Sequence, residues 1–385
     1  MRIGQIAPLA ESVPPQLYGG TERVVAWLTD ALVDLGHEVT LFASGDSKTS
    51  ARLVACASEA LRLDPAASDP LPHAVLQMET VRQAANRFDL LHFHIDHVHL
   101  PLIRSLPCPT VTTLHGRLDL PDLQPLFREF PDVPLVSISD AQRRPMPPVN
   151  WLGTVHHGLP RDLFHAELQP RGGYLAFLGR ISAEKRPDLA IEIAIQAGLP
   201  LKIFAKVDEA DEGYYRSTIE PLLDHPLVEF VGEIGDEAKQ RALGNALAVL
   251  FPIDWPEPFG LIMIEAMACG TPVVAFPHGS VPEILEDGLT GFIVDSPQEA
   301  VAAVGRLDSL KREAIRRQFE ARFTAERMAH DYAQLYRRLS TGERSLKIAP
   351  ASVRPLTAPL DLNPAQGGTG PRLRGSTIPP SNLER

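Results

Sequence analysis

The stretch Glu257-Pro258-Phe259-Gly260-Leu261-Ile262-Met263-Ile264-Glu265-Ala266-Met267-Ala268-Cys269-Gly270-Thr271-Pro272-Val273-Val274 decides how this chain is read. An apolar strand, Leu247 to Phe251, precedes it, and Pro272 to Phe276 reads as the next strand. Between them the spacing predicts a helix from Phe259 to Ala268, opened by Gly260 and closed before Gly270. A strand–loop–helix–strand unit of this kind belongs to a parallel sheet covered by helices. Glu257 sits in the loop before the helix and Glu265 one and a half turns inside it, so both carboxylates fall at one mouth of the sheet. Gly260 has no side chain, which leaves the backbone N–H groups of Gly260, Leu261 and Ile262 able to cradle an anion at the positive end of the helix. A phosphate and a polyol fit such a mouth, with the carboxylates accepting from paired hydroxyls. The competing reading of Glu265 is an ordinary solvated helix glutamate.

Outward from this unit the same rhythm repeats. Arg2 to Ala7 reads as a buried strand, Tyr18-Gly19-Gly20-Thr21 as a turn, and Val24, Val25, Leu28, Leu32 and Leu35 as the apolar face of a helix ending at Gly36. Strands follow at 38–43, 89–93, 110–114, 135–138 and around Val155. The polar, Pro/Gly-bearing segment 165–173 breaks the rhythm and reads as a linker. Beyond it come strand 174–178, helix 188–197, strand 201–205, helix 214–223, strand 228–231 and helix 236–243. Two doubly wound α/β domains are expected, with ligands in the crevice outside the carboxyl ends of their strands. Residues 312–339 read as one long amphipathic helix whose apolar face needs a partner. From about Thr341 the composition turns to scattered Pro and Gly with no aromatic residue, which reads as a disordered tail.

The whole chain has 385 residues, 44% hydrophobic and 22% charged, an ordinary globular mix. Its formal net charge of −11 argues against a nucleic-acid partner. Cys56, Cys108 and Cys269 lie far apart and show neither metal nor disulfide spacing. No run approaches a membrane span and no secretory signal is visible, so a cytoplasmic protein is expected, with peripheral membrane contact left open. The run His92, His94, His97, His99 has the count of a metal cluster, but strand alternation scatters it, and no metal or other cofactor is expected.

Arg180 and Lys185 follow the strand ending at Gly179, where a planar fork and a point charge could neutralise a diphosphate. Gly19 and Gly20 allow the backbone to approach a ligand closely. His115 ends a strand at the expected cleft, and His94 and Asp96 are candidates for lining an acceptor pocket there.

The 257–274 string resembles the E-x7-E signature of family 4 retaining glycosyltransferases. So do four further segments in the family's order: YGGTE at 18–22, TTLHG at 112–116, GRISAEKRP at 179–187 and GSVPEILEDGLTGFIV at 279–294. The resemblance implies the GT-B architecture, two Rossmann-like domains facing across a cleft. The acceptor domain would span 1–165, the donor domain 172–311, and a last helix, 312–340, would cross back to the first domain, leaving a tail at 341–385. It implies a retaining, metal-independent transfer of a hexose from a nucleotide sugar, a UDP-sugar first among the candidates, to a small-molecule or glycan acceptor. Glu257 would position the sugar, Glu265 the ribose, and Arg180 and Lys185 the diphosphate. His115 would contact the donor sugar, and Gly19, Gly20, Phe259, Gly260, Leu261 and Ile262 would complete the donor site. A nucleotide-sugar epimerase of the same architecture and a non-catalytic sugar-nucleotide-binding protein are the alternatives.

Overall fold

A computed structural model describes residues 1–16 and 19–340; Tyr18 of the glycine loop and the segment from Thr341 lie outside the described residues. Among those described, the short apolar runs pair into two wholly parallel sheets. The first holds β1 (Arg2–Ile6), β2 (Glu38–Ser44), β3 (Arg52–Ala57), β4 (Leu90–Phe93), β5 (Thr110–Thr113), β6 (Leu135–Ser137) and β7 (Trp151–Thr154), in the order β3-β2-β1-β4-β5-β6-β7. The second holds β8 (Leu175–Arg180), β9 (Leu201–Lys206), β10 (Val228–Phe230), β11 (Ala248–Phe251), β12 (Val273–Ala275) and β13 (Gly291–Ile293), in the order β10-β9-β8-β11-β12-β13. The fold is α/β, two doubly wound Rossmann-like sheets. The strand order reverses between β1 and β4 and between β8 and β11, and ligands bind such sheets outside the carboxyl ends at these reversals.

The central strands are buried on both faces, as β1, β4 and β11 show, so they read as short, mostly apolar runs. Two elements escaped that reading. Strand β3 lies at an edge and is nowhere fully buried, and the Pro70–Ala84 helix buries only Gln77, Met78 and Val81, so neither carries a clear period. The helix expected over 214–223 is instead a succession of short turns of differing pitch from Glu209 to Leu222, with Pro221 removing an N–H. The helix after Glu257 starts at Leu261, because Gly260 takes a left-handed φ of 76°.

The single helix expected over 312–340 is two helices, Arg312–Arg322 and Ala325–Ser340. The break is where the chain crosses between the sheets. Leu159 N donates to Phe323 O at 3.0 Å and Ala325 N to Leu159 O at 2.9 Å, so incoming and returning segments are bonded side by side. A Cβ on Gly158 would stand 2.1 Å from Thr324 O, so glycine is required for this approach. Before the crossing, Arg312 is buried in the second half, its guanidinium donating to the carbonyls of Glu167, Gly244 and Ala246. After it, the Ala325–Ser340 helix packs on the Gly20–Asp34 helix and presents Tyr332 and Tyr336 to the first sheet.

These tyrosines end a buried polar network. Gln5 Nε2 donates to the Tyr336 hydroxyl (3.3 Å), which lies 2.7 Å from His92 Nδ1; His92 Nε2 lies 2.7 Å from Thr113 Oγ1, itself 2.8 Å from the Tyr332 hydroxyl. His99 Nε2 reaches Thr112 Oγ1 at 2.7 Å. Three of the four histidines in the run are thus spent on the protein, His92, His94 and His99 each being buried and hydrogen-bonded, while His97 is exposed.

Burial holds these histidines neutral: His99 is pushed down to about 3, and His92 and His94 well below the usual range. An unfolded chain protonates its histidines as pH falls through about 6.5, so between those limits the unfolded state binds more protons. Stability is therefore complete above about 6.5 and falls as the pH drops. The urea midpoint, followed by tryptophan fluorescence, is expected to decline steadily from about pH 7 to about pH 5; a flat or rising midpoint would contradict the neutral network.

Candidate active site

Both reversal points open on one cleft of about 480 Å³, lined from the two sheets. On the second sheet's side, Arg180 ends β8, and the loop after it turns at Arg186, whose φ of 53° is left-handed, rare for a residue with a Cβ. Lys185, just before that turn, lines the cleft and its ammonium bonds Glu257 Oε2. Trp255 Nε1 donates to the same oxygen at 3.1 Å, and the ammonium stands 4.9 Å from the Trp255 ring centroid. Glu257 is 8% exposed, so its charge is carried by these two donors. Its backbone is fixed from behind: Ser280 N donates to Glu257 O (2.9 Å), and a Cβ on Gly279 would meet Glu257 N at 2.3 Å. Ser280 does not cap its own helix, since its hydroxyl goes to Phe259 O.

The helix that follows begins with a free first turn: no described residue accepts from the N–H groups of Gly260, Leu261 or Ile262. A Cβ at Gly260 would meet Met263 Cε at 2.8 Å and Phe251 Cζ at 3.2 Å, so the tight start requires glycine twice over, by space and by φ. Phe259 is buried beneath the cleft floor. Glu265 is only 4% exposed and accepts from Lys239 Nζ at 2.8 Å, which removes the reading of a solvated glutamate. Lys239 comes from the Asp236–Asn245 helix; among the charges of GDEAKQ it has no signal that separates it from a surface lysine. Arg180 rests among carboxylates, with Nε 3.1 Å from Asp211 and longer approaches to Asp208 and Glu184. Three cations and two buried carboxylates thus surround an open helix N-terminus, a setting for a diphosphate next to hydroxyl-bearing rings.

On the first sheet's side, Gly19 and Gly20 start the first helix opposite the Leu261 helix, and a Cβ on Gly20 would come 3.7 Å from Leu261 Cδ1. His115, after β5, is half-buried and lines the cleft. Its Nε2 lies 2.9 Å from His94 Nδ1, and His94 Nε2 lies 2.7 Å from Gln5 Oε1. Since Gln5 Oε1 accepts, His94 Nε2 carries its proton and His94 Nδ1 is a lone pair. His115 Nε2 must then donate, which leaves His115 Nδ1 as a buried lone pair with no partner. Burial lowers His115 to about 3, so it is neutral at physiological pH. The expectation that His94 lines an acceptor pocket is corrected: at 1% exposure, with both nitrogens bonded, it stands behind His115 and orients it. Asp96 is exposed beyond the lining, with a left-handed φ of 54°.

Besides Lys239, further lining residues were missed in the sequence, His157 and Glu22 among them. His157 stacks on His115 at 5.2 Å between ring centroids and packs on Phe259, while Glu22 is buried in the first turn of the first helix. His157 stands in an unremarked HHG turn, and Glu22 reads as a helix-start acid. Three polar ties bridge the cleft walls: Arg23 to Asp236 (2.7 Å), Arg117 to Glu184 (2.6 Å), and Glu283, which accepts from the backbone N–H groups of Asp140 (2.7 Å) and Ala141 (2.6 Å). Glu283 thus joins the two halves.

Residues 18–135 match the family described as Glycosyltransferase Family 4, and residues 161–324 that described as Glycosyl transferases group 1. Among curated relatives, the phosphatidyl-myo-inositol mannosyltransferase of Mycobacterium leprae is 26% identical over 91% of this chain and 100% of its own length. Among solved structures, sucrose-phosphate synthase from Thermosynechococcus elongatus superposes with a TM-score of 0.72 at 21% identity, covering 89% of this chain and 100% of that one. Anabaena Alr3699/HepE, solved with UDP and glucose, superposes with a TM-score of 0.65 at 17% identity, covering 87% and 98%. With a family 4 domain followed by a group 1 domain on two Rossmann-like sheets, the chain belongs to the glycosyltransferases of GT-B architecture.

Proposed function

We propose that this glycosyltransferase is a retaining hexosyltransferase that takes its sugar from a nucleoside diphosphate, UDP first, without a metal ion. The observation that carries this reading is the pair of buried carboxylates, Glu257 and Glu265, each held by a lysine on either side of the open N-terminus of the Leu261–Ala268 helix. The neighbour solved with UDP and glucose supports the choice of nucleotide. The diphosphate would lie on the free N–H groups, with Arg180 and Lys185 turned toward it from their present acidic partners. Glu265, held by Lys239, would accept from the ribose hydroxyls, and Glu257 from the sugar.

In the transfer, the bond from the anomeric carbon to the phosphate oxygen breaks and a bond to the acceptor oxygen forms on the same face. The acceptor hydroxyl's proton passes to the departing phosphate oxygen, which the cations and the helix N-terminus have stabilised. Neutral His115, a lining residue whose Nδ1 lacks a partner, would accept from a hydroxyl rather than supply a charge.

If Lys185 carries the leaving group, Lys185→Ala should lower kcat by orders of magnitude, because its contact strengthens as charge develops, while the melting temperature falls but the fold is kept, since Trp255 still donates to Glu257. Near-normal turnover in a folded variant would sink the assignment. Glu265→Gln and Lys239→Met should each weaken free nucleotide and intact donor by similar factors, about 10-fold for Glu265→Gln, since charge-assisted bonds contribute roughly 1.5–3 kcal/mol. Glu257→Gln should weaken intact donor more than free nucleotide; titration calorimetry reads both. Activity is expected to survive excess EDTA, and its loss with restoration by Mg²⁺ would overturn the metal-free reading.

A further inference from the structure

The wall of the cleft facing the cations carries two buried carboxylates, Glu11 and Glu22, together with Thr21, Arg23, Arg62 and the imidazoles of His115 and His157. Glu22 is 6% exposed and lines the cleft beside Gly19, where an added Cβ would stand 3.2 Å from Glu22 Oε2. Its carboxylate accepts from its own backbone N–H and from no other described residue. Glu11, 8% exposed, and Asp96 lie within its electrostatic reach, and the guanidinium in that group, Arg62, is already bonded to Glu11 at 2.6 Å. Burial first, then Glu11 and Asp96, push the Glu22 carboxyl above its usual range, as expected of a buried acid whose like-charged neighbours outnumber its cation.

A second, independent observation comes from the histidines. His157 is 4% exposed, lines the same cleft, and its ring makes no hydrogen bond to any described residue. On the ring stacked against it, His115 Nδ1 also lacks a partner, so each of the two imidazoles keeps a nitrogen unserved by the described residues. Buried polar groups are satisfied in native structures, so such a wall is completed by its ligand.

Resting on the glycosyltransferase reading above, we propose that the acceptor is an amine-bearing polyol, an amino sugar or aminocyclitol without phosphate, whose ammonium group docks on Glu22 beside Glu11 while its hydroxyls face His115 and His157. An ammonium supplies three donors and the compensating charge. A phosphate in that position would be repelled by the Glu22 and Glu11 carboxylates, and the nearby Arg62 is already bonded to Glu11. The phosphatidylinositol named for the mycobacterial relative would therefore be a poor fit here.

Calorimetry on the full chain tests this in two arms. In the first, UDP, GDP and ADP are titrated; failure of all three to bind would count against the glycosyltransferase reading itself. In the second, run with and without nucleotide, glucosamine is compared with glucose, and 2-deoxystreptamine with myo-inositol and myo-inositol 1-phosphate. The amine is expected to bind at least 10-fold tighter than its hydroxyl counterpart, the phosphate weakest, and Glu22→Gln should abolish the preference. Equal binding of amine and hydroxyl partners, tighter binding of the phosphate, or an amine preference that survives in folded Glu22→Gln would each overturn the proposal. The parent comparison decides the matter even if the variant does not fold.

Discussion

Everything in this molecule depends on one backbone contact, the pairing of Leu159 with Phe323 and Ala325. There the chain leaves the first sheet and later comes back, and the two passages are hydrogen-bonded to each other at a point where only glycine fits at position 158. The contact places the carboxyl ends of both sheets across from each other, so a cleft forms between two reversal points that would otherwise be independent ligand sites. Phe323 and Phe259 pack edge-on at 6.4 Å, and Phe259 in turn carries His157. The crossing and the cleft floor are thus one apolar cluster. The ties at the cleft rim, Arg23 to Asp236 and Arg117 to Glu184, add polar contacts whose strength depends on solvent and salt.

The two walls divide the electrostatic work. One gathers Arg180, Lys185 and Lys239, each against a carboxylate; the other holds Glu11, Glu22 and neutral imidazoles, with Arg23 and Arg62 bonded to Asp236 and Glu11. Each cation of the first wall already has a protein partner, so a bound diphosphate would exchange one set of charge-assisted bonds for another. It would not have to desolvate bare charges, which is the costly step for buried ions. Gln5 links this chemistry to the core: its carbonyl sets the proton on His94 and so the lone pair on His115, while its amide group meets Tyr336 of the returning helix.

What the sequence disclosed follows the same physics. Glu257, Gly260 and Glu265 were legible because a strand, a glycine helix start and a second strand fix their places by backbone geometry alone. The central strands were legible because burial on both faces leaves a short, mostly apolar run, interrupted by Gln5 in β1 and His92 in β4. Lys239, His157 and Glu22 were not, because each sits in a local pattern that has an ordinary explanation and becomes part of the cleft only when the sheets meet. His94 was placed at the right strand end but one layer too far forward, since alternation gives the face of a side chain and not what stands between it and solvent. The break at Phe323–Thr324 was hidden because both helices keep an apolar stripe, and only the neighbouring passage at Leu159 shows why the chain must open there.

The crossing also says how such a protein could exchange parts with its relatives. The half carrying the cations is continuous from just after Gly158 to Thr324, close to the 161–324 span matched by the group 1 family. The helix Ala325–Ser340, although last among the described elements, is built into the first sheet through Tyr332 and Tyr336. A recombination that swapped everything after the first sheet would import a foreign helix against Gln5, His92 and Thr113 and leave buried polar groups without partners. Junctions at Gly158 and Thr324 would instead cut the chain at two adjacent points and leave both cores whole. The half carrying the cations is in that sense an insertion, and its side of the cleft can change without disturbing the half that receives it.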